Sequence, residues 1–438
     1  MKITAQNVHK ILRKHLLVDG FDIVMDLKKS KGVWLHDLKS GKKFLDMFSF
    51  FASLPIGFNH PDLCSKSFKK KLADAAVIKV SNSDIYTLQL AECVEAFSKH
   101  AIPKHLPHLF FISGGALAVE NALKAAFDWK VRKNFAKGIK TERGHKVIHF
   151  EKAFHGRSGY TLSLTNTADP RKHMYFPKFD WPRISSPAIH FPLQQNLKTV
   201  EAAEMEALAQ IGKAIADNPD DIACILIEPI QGEGGDRQFR KEFFQALRNI
   251  CDEHDIMLIF DEVQTGFGIT GKFWAYQHYG IEPDILSFGK KSQVCGILGG
   301  TKLHEVEKHV FSEESRINST FGGNLIDIVR VTKILEVIHR DKLLKNAEKL
   351  GAHLLQSLHT LEHQHSFLSN SRGLGLMCAI DFETTEMRNK VREKCYEKGM
   401  IILPCGERSL RFRPTLTVTK KEIDLALSIL ADAFREVV

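Results

Sequence analysis

The sequence predicts an α/β protein built on a buried, mostly parallel central sheet flanked by helices, with a smaller α+β lobe toward the C-terminus. Three observations predict it. Short runs that are apolar at every position recur through the middle of the chain, separated by longer segments with helical spacing; such runs mark strands buried on both faces. A chain of 438 residues exceeds what one small core can organise. After about Thr320 the texture changes to one long helical pattern followed by isolated strand-like runs.

In order along the chain, Val8, Ile11, Leu12 and Leu16 fall at helical spacing and predict a short amphipathic helix docked on the body. Gly32–Leu35 and Phe44–Asp46 look like strands that pack with the C-terminal lobe. Leu109–Ile112 is the first fully apolar run, and Ser113-Gly114-Gly115 closes it. Ala116–Trp129 then carries Val119, Ala122, Leu123, Ala126 and Phe127 at helical spacing. Further runs are Val147–Phe150, Ile222–Ile227 and Ile256–Phe260. A helical pattern extends from Leu325 to about His359, and Gly373–Ile380 and Gly399–Leu403 follow as strand candidates. These features divide the chain into an N-terminal segment, 1–65, that packs with the small domain, a large domain, 66–325, and a small α+β domain, 326–438.

Composition excludes several classes of function. No apolar run reaches the ~18 residues a membrane span needs, and the basic N-terminus lacks the apolar core of a signal peptide. The net charge of +9 is scattered, with Lys69-Lys70-Lys71 as its longest run, which argues against a nucleic-acid partner. None of the eight cysteines forms a CxxC pair, so no metal site is expected and a reducing cytoplasm fits. Cys224, inside an apolar run, reads as a small buried thiol.

In parallel sheets, ligands bind beyond the carboxyl ends of the strands, and five strand ends here carry suggestive groups. Gly114-Gly115-Ala116 opens a helix whose first N–H groups favour a phosphate, although alone it would be an ordinary strand–helix turn. Phe154-His155-Gly156-Arg157 combines an aromatic platform with a cation. Glu228-Pro229 ends the third run, with Gly232-Glu233-Gly234-Gly235 just beyond. Asp261-Glu262 ends the fourth, where a carboxylate needs a partner. Lys290 follows Asp284–Gly289 in a near-apolar turn, which suits an imine-forming amine with a lowered pKa. Gly266, Gly268 and Gly271 satisfy G-x-G-x-x-G, and Gly266–Lys272 nearly a P-loop. The glycines begin too far past the strand, however, and Phe273 stands where a P-loop needs Ser or Thr.

Taken together, Ile259-Phe-Asp261-Glu-Val-Gln264-Thr-Gly266, Pro283-Asp284 and Lys290 resemble the class III aminotransferases, pyridoxal-phosphate (PLP) enzymes of fold type I, over about Phe44 to Leu430. The resemblance implies PLP as cofactor. It makes Lys290, six residues after Asp284, the lysine that forms an imine with PLP, with Lys291 as its rival. Asp261 would pair with the pyridine nitrogen, Gln264 lie near the ring hydroxyl and Phe154 stack on the ring, while Gly115 and Ala116 would bind the phosphate through backbone N–H groups. Asn318–Gly323 resembles the segment that reaches the site from a second subunit, with Thr320 as phosphate donor and Asn318 near the substrate; a homodimer with shared sites follows. The resemblance also points to a donor that reacts at a far-end amine, L-lysine ahead of ornithine, 4-aminobutyrate or a diamine, and to 2-oxoglutarate as acceptor. Arg157 would grip the remote carboxylate of either substrate. Arg411, three residues before Pro414, would bind the other carboxylate of 2-oxoglutarate, with Arg413 as the competing arginine. Glu233 is expected to pair with Arg411 when no carboxylate is there and to swing away when one arrives.

Overall fold

A computed structural model describes residues 2–437. Its centre is a seven-stranded sheet in the order His108–Ile112, Cys295–Gly299, Ile285–Phe288, Met257–Asp261, Ile222–Ile227, Lys146–Phe150, Arg183–Ile184. All pairings from Ile285–Phe288 outward to Arg183–Ile184 are parallel. Cys295–Gly299 runs antiparallel to both of its neighbours. The sequence reading did not anticipate this strand or the two-residue edge at Arg183. Glycine obscures the first: a Cβ at Gly296 would lie 2.2 Å from the Phe110 carbonyl oxygen, so packing demands the residue that strand propensity disfavours.

The continuous apolar runs have a direct cause. Ile222–Ile227 is buried at every position. Ile225 and Ile227 face one core with Leu258, Phe260, Phe97 and Phe244, while Ala223, Leu226, Met257 and Ile259 face another with Ala118, Ala122 and Trp129. Helices Leu88–His100 and Lys241–Glu253 supply the first core and helix Gly115–Ala136 the second. Each large apolar side chain buried in this way contributes about 1.5–3 kcal/mol, and a polar residue at any of these positions would forfeit that and strand a polar group.

Toward the C-terminus, an antiparallel sheet has the order Leu368–Leu374, Met377–Phe382, Ser409–Phe412, Leu403–Cys405. Helices Leu343–Gln364, Thr385–Glu397 and Lys420–Val437 pack with it. The long helical pattern from Leu325 is two helices, Leu325–Arg340 and Leu343–Gln364, separated where Lys342 adopts φ 53°. Gly373–Ile380 is a hairpin, not one strand. It turns at Gly375, whose φ is +54° and whose Cβ would come within 2.4 Å of the Ile269 carbonyl. A third sheet joins Trp34–His36 and Lys43–Asp46 to Met400–Ile401, with the last pairing parallel.

The N-terminal helix spans Val8–Leu12, but none of its residues is buried, and Leu12 and Leu16 are 39% and 59% exposed. Val8 and Ile11 are half-buried, so the expected docking of its apolar face on the body is only partial in the single chain. Among the described residues, no helix is long and apolar enough to cross a membrane. All eight cysteines are free thiols, and complete burial pushes the Cys224 thiol well above its ordinary pKa.

Candidate active site

The parallel strands deliver their C-terminal residues to one cleft. Asp261 ends the strand Met257–Asp261 and is paired in parallel register with Ser287 of Ile285–Phe288. Ser287 Oγ therefore lies beside it and donates to Oδ1 at 3.1 Å, and the Val263 amide donates to the same oxygen at 3.0 Å. His155, in the turn after Lys146–Phe150, places Nδ1 2.8 Å from Asp261 Oδ2. A carboxylate only accepts, so Nδ1 carries the proton. Both side chains are almost completely buried. His155 was visible in the sequence, but its task was not, because the partner lies 106 residues away.

Glu228, beyond Ile222–Ile227, accepts from the Phe154 amide at 2.9 Å and the Gly232 amide at 3.1 Å. Burial pushes its carboxyl up to about 7. It ties the Phe154–Arg157 turn to the Gly232–Gly235 loop. A Cβ at Gly156 would lie 2.5 Å from Ala116 Cβ, so this turn leans on the start of helix Gly115–Ala136. Gly114 enters that helix at φ +111°, and no side chain caps it. The N–H groups of the first turn therefore have neither an intrahelical partner nor a side-chain cap and suit a bound anion. Gly115 sits tightly against Val263, whose Cγ1 a Cβ would meet at 3.0 Å, so a larger residue there would have to displace that side chain slightly.

Two adjacent lysines have different fates. Lys291 is buried and donates to the Gln264 carbonyl oxygen at 2.6 Å; burial drives its amine pKa far down. Lys290, at φ 52°, is half-buried. Its Nζ makes no hydrogen bond to a described residue, and burial followed by the nearby Arg411 charge brings its pKa down to about 8.

Two arginines divide in the same way. Arg411, on Ser409–Phe412, donates from Nη2 to Glu233 Oε2 at 2.9 Å and from Nη1 to the Gly232 carbonyl at 3.2 Å. Burial alone would raise the Glu233 carboxyl, but the Arg411 charge and Lys172 outweigh it and hold the group below its ordinary value. Arg413 is committed elsewhere: both Nη atoms reach Asp236, with Nη1 at 2.8 Å, and Nε reaches Gln264 Oε1 at 3.2 Å. Gln264 lies over Gly232, where a Cβ would come within 2.4 Å of its oxygen.

The cleft thus brings together Gly115, Ala116, Phe154, Glu233, Asp261, Gln264, Lys290 and Arg411. Three expected residues stand apart in the single chain. Arg157 is exposed and makes no hydrogen bond or ion pair with a described residue. Asn318 and Thr320 are exposed as well; Asn318 Oδ1 accepts from Ser83 Oγ at 2.9 Å, and no hydrogen bond ties either residue to the cleft. The sequence reading missed Lys172, whose Nζ pairs with Glu233 Oε1. No sequence signal linked them, since 61 residues separate the two.

Away from the cleft, ring nitrogens of His108, His304 and His309 lie within 4.8 Å of one another. The trio is already hydrogen-bonded: His108 Nε2 and His304 Nε2 are 2.7 Å apart, and His309 Nδ1 accepts from the Phe311 amide at 3.2 Å. Burial, reinforced by the neighbouring rings, lowers the pKa of His108 and His309, which favours neutral imidazoles.

An unshared amine of lowered pKa, a buried carboxylate with fixed partners and an uncapped helix start suit PLP, and with this α/β fold they define a fold type I PLP-dependent transaminase. The family model for class III aminotransferases matches residues 18–434, and the chain belongs to that family. It is 50% identical over 432 residues to the L-lysine-epsilon aminotransferase of Streptomyces clavuligerus, covering 98% of this chain and 94% of the relative. It is 31% identical over 425 residues to human mitochondrial 4-aminobutyrate aminotransferase, covering 92% and 83%. Among solved structures, lysine aminotransferase from M. tuberculosis in the internal aldimine form is 49% identical, with a TM-score of 0.97 and full coverage of both chains.

Proposed function

We propose that this transaminase moves the 6-amino group of L-lysine to 2-oxoglutarate, giving 2-aminoadipate 6-semialdehyde and L-glutamate. The observation that carries this reading is the Glu233–Arg411 pair beside the Lys290 amine. A donor that reacts at a carbon without a carboxylate leaves Arg411 nothing to bind, and Glu233 neutralises it. An acceptor that carries a carboxylate there takes Arg411 for itself, and a bidentate arginine–carboxylate pair is strong enough to make that exchange. Identity of 50% to L-lysine-epsilon aminotransferases, against 31% to the human 4-aminobutyrate enzyme, supports the donor.

PLP, when bound, supplies a carbonyl that condenses with amines and a ring that withdraws electrons from the substrate carbon. Lys290 is suited to hold it and then to take and return the proton at that carbon, since an amine near 8 is an effective base at neutral pH. Asp261, steadied by His155 and Ser287, suits the pyridine nitrogen. Phe154 and Gln264 would flank the ring, and the amides of Gly115 and Ala116, with the partner's Thr320, would suit the phosphate. Arg157, with the partner's Asn318, would take the distal part of either substrate.

We read the assembly as a homodimer, which would bring Asn318 and Thr320 to a second site. Exposed Ile85, Tyr86 and Leu88 near that segment support it, at 77–80% exposure. Eight free thiols suit a reducing cytoplasm. The division into 1–65, 66–325 and 326–438 remains our reading of the domains.

The test is the visible spectrum of the holoenzyme as L-lysine, L-ornithine or 4-aminobutyrate is added without a keto acid. L-lysine is expected to discharge the PLP band fastest. If ornithine or 4-aminobutyrate does so instead, the donor assignment is wrong and the transaminase chemistry stands.

A further inference from the structure

The Glu233 carboxylate is shared. Oε2 faces Arg411 Nη2 at 2.9 Å, and Oε1 faces Lys172 Nζ. Lys172 comes from a different part of the fold, the short turn Pro170–Lys172, whose start is capped by the Asp169 side chain accepting from the Arg171 amide. Arg171 is spent on Asp169 at the surface, and Lys172 points inward with its side chain only 20% exposed. Its ammonium also lies 5.9 Å from the centre of the Phe154 ring, within cation–π range. Three segments, carrying Phe154, Lys172 and Glu233, therefore converge next to Arg411.

We propose that Lys172 is a positioning residue for the dicarboxylate half-reaction: it keeps hold of Glu233 when Arg411 turns to a substrate carboxylate. The proposal rests on the reading that Arg411 receives such a carboxylate. The charge balance carries it. With only Arg411 and Glu233 present, an incoming carboxylate would leave two anions competing for one guanidinium, and a half-buried Glu233 would lose its only partner. With Lys172, the arriving carboxylate completes two neutral pairs, Arg411 with the substrate and Lys172 with Glu233. Glu233 need not find a partner in solvent, because one oxygen is already on Lys172 in the resting state. The face of Phe154 steadies the ammonium throughout. In the lysine half-reaction Glu233 stays on both cations and Lys172 has little to contribute.

The experiment follows single half-reactions of the holoenzyme with L-lysine alone and with L-glutamate alone. The proteins are wild type, Lys172→Met, Lys172→Arg, Glu233→Gln, and Lys172→Met combined with Glu233→Gln. Lys172→Met should raise the L-glutamate concentration for half-maximal rate about tenfold, leaving its maximal rate and the L-lysine reaction within about twofold. Lys172→Arg, which keeps the charge, should restore most of the loss. In the Glu233→Gln background, Lys172→Met should add nothing, because Lys172 acts through Glu233. Equal losses with both amines, or no loss with either, overturn the proposal. So does a full further loss in the Glu233→Gln background, which would mean that Lys172 touches substrate itself. A wild-type enzyme that reacts with L-glutamate but not L-lysine would sink the donor assignment instead and leave the Lys172 comparison readable with the true donor.

Discussion

At the floor of the cleft Asp261 is held by three fixed donors, His155, Ser287 and the Val263 amide; at its mouth Glu233 is divided between two cations on separate segments. Both groups are carboxylates in largely buried surroundings, and their different partners suit different tasks. A group that stays bound through every turnover needs a carboxylate whose position never changes, and donors from the adjacent strand and from two strand-end turns provide it. Substrates that alternate in charge need one that can be released without becoming unpaired, and two cations on separate segments provide that. Arg413 sharpens the contrast. It lies two residues from Arg411, yet Asp236 and Gln264 lock it, so it belongs with the fixed network.

The largest effect that tests this contrast should come from the lysine pair. Lys290→Ala should lower transamination by on the order of 10²–10⁴-fold, whereas Lys291→Met should retain the cofactor's colour. A colourless Lys291→Met protein and a yellow, active Lys290→Ala protein would reverse the assignment. Next comes the locked Arg413–Asp236 pair. Asp236→Ala strands the buried Arg413 charge and should cost about 3 kcal/mol or more of stability. Thermal and urea unfolding would measure it, and an unchanged midpoint would show that the pair is dispensable.

At the floor, His155→Phe removes a hydrogen bond to a charged group. Such a bond is worth about 1.5–3 kcal/mol, so kcat should fall by about tenfold or more, with KM for either substrate little altered. A pure KM effect would place His155 outside the catalytic unit. The most graded effect is in pH. Burial disfavours the Lys290 ammonium, so the neutral amine accumulates as pH rises through about 8 rather than above 10. Uptake of PLP by the apoprotein should therefore rise about tenfold per unit below pH 8 and level off above it. A rate still climbing at pH 10 would show an ordinary lysine.

Much of this was legible before the structure, for physical reasons that differ by element. The runs at Ile222–Ile227 and Ile256–Phe260 could be read because burial on both faces leaves no position for a polar residue. Cys295–Gly299 could not, because close approach to Phe110 and Phe311 selects glycine at two of its five positions. The break at Lys342 escaped notice because both flanking helices keep an apolar face, so periodicity runs across the turn. The N-terminal apolar residues suggested docking, but spacing alone does not say what a face packs against.

The sequence by itself determined the α/β class, the cleft at the strand ends and the residue types that stand there, because apolar runs and glycine turns are local consequences of burial and backbone geometry. Tertiary structure alone decided that Lys291 is spent on the Gln264 carbonyl, that Asp236 and Gln264 lock Arg413, that His155 serves Asp261, and that Lys172 shares Glu233. Those are contacts between residues far apart in the chain. They depend on the order of strands in the sheet and on how the Ser409–Phe412 strand packs against the Gly232–Gly235 loop, and no local pattern encodes either.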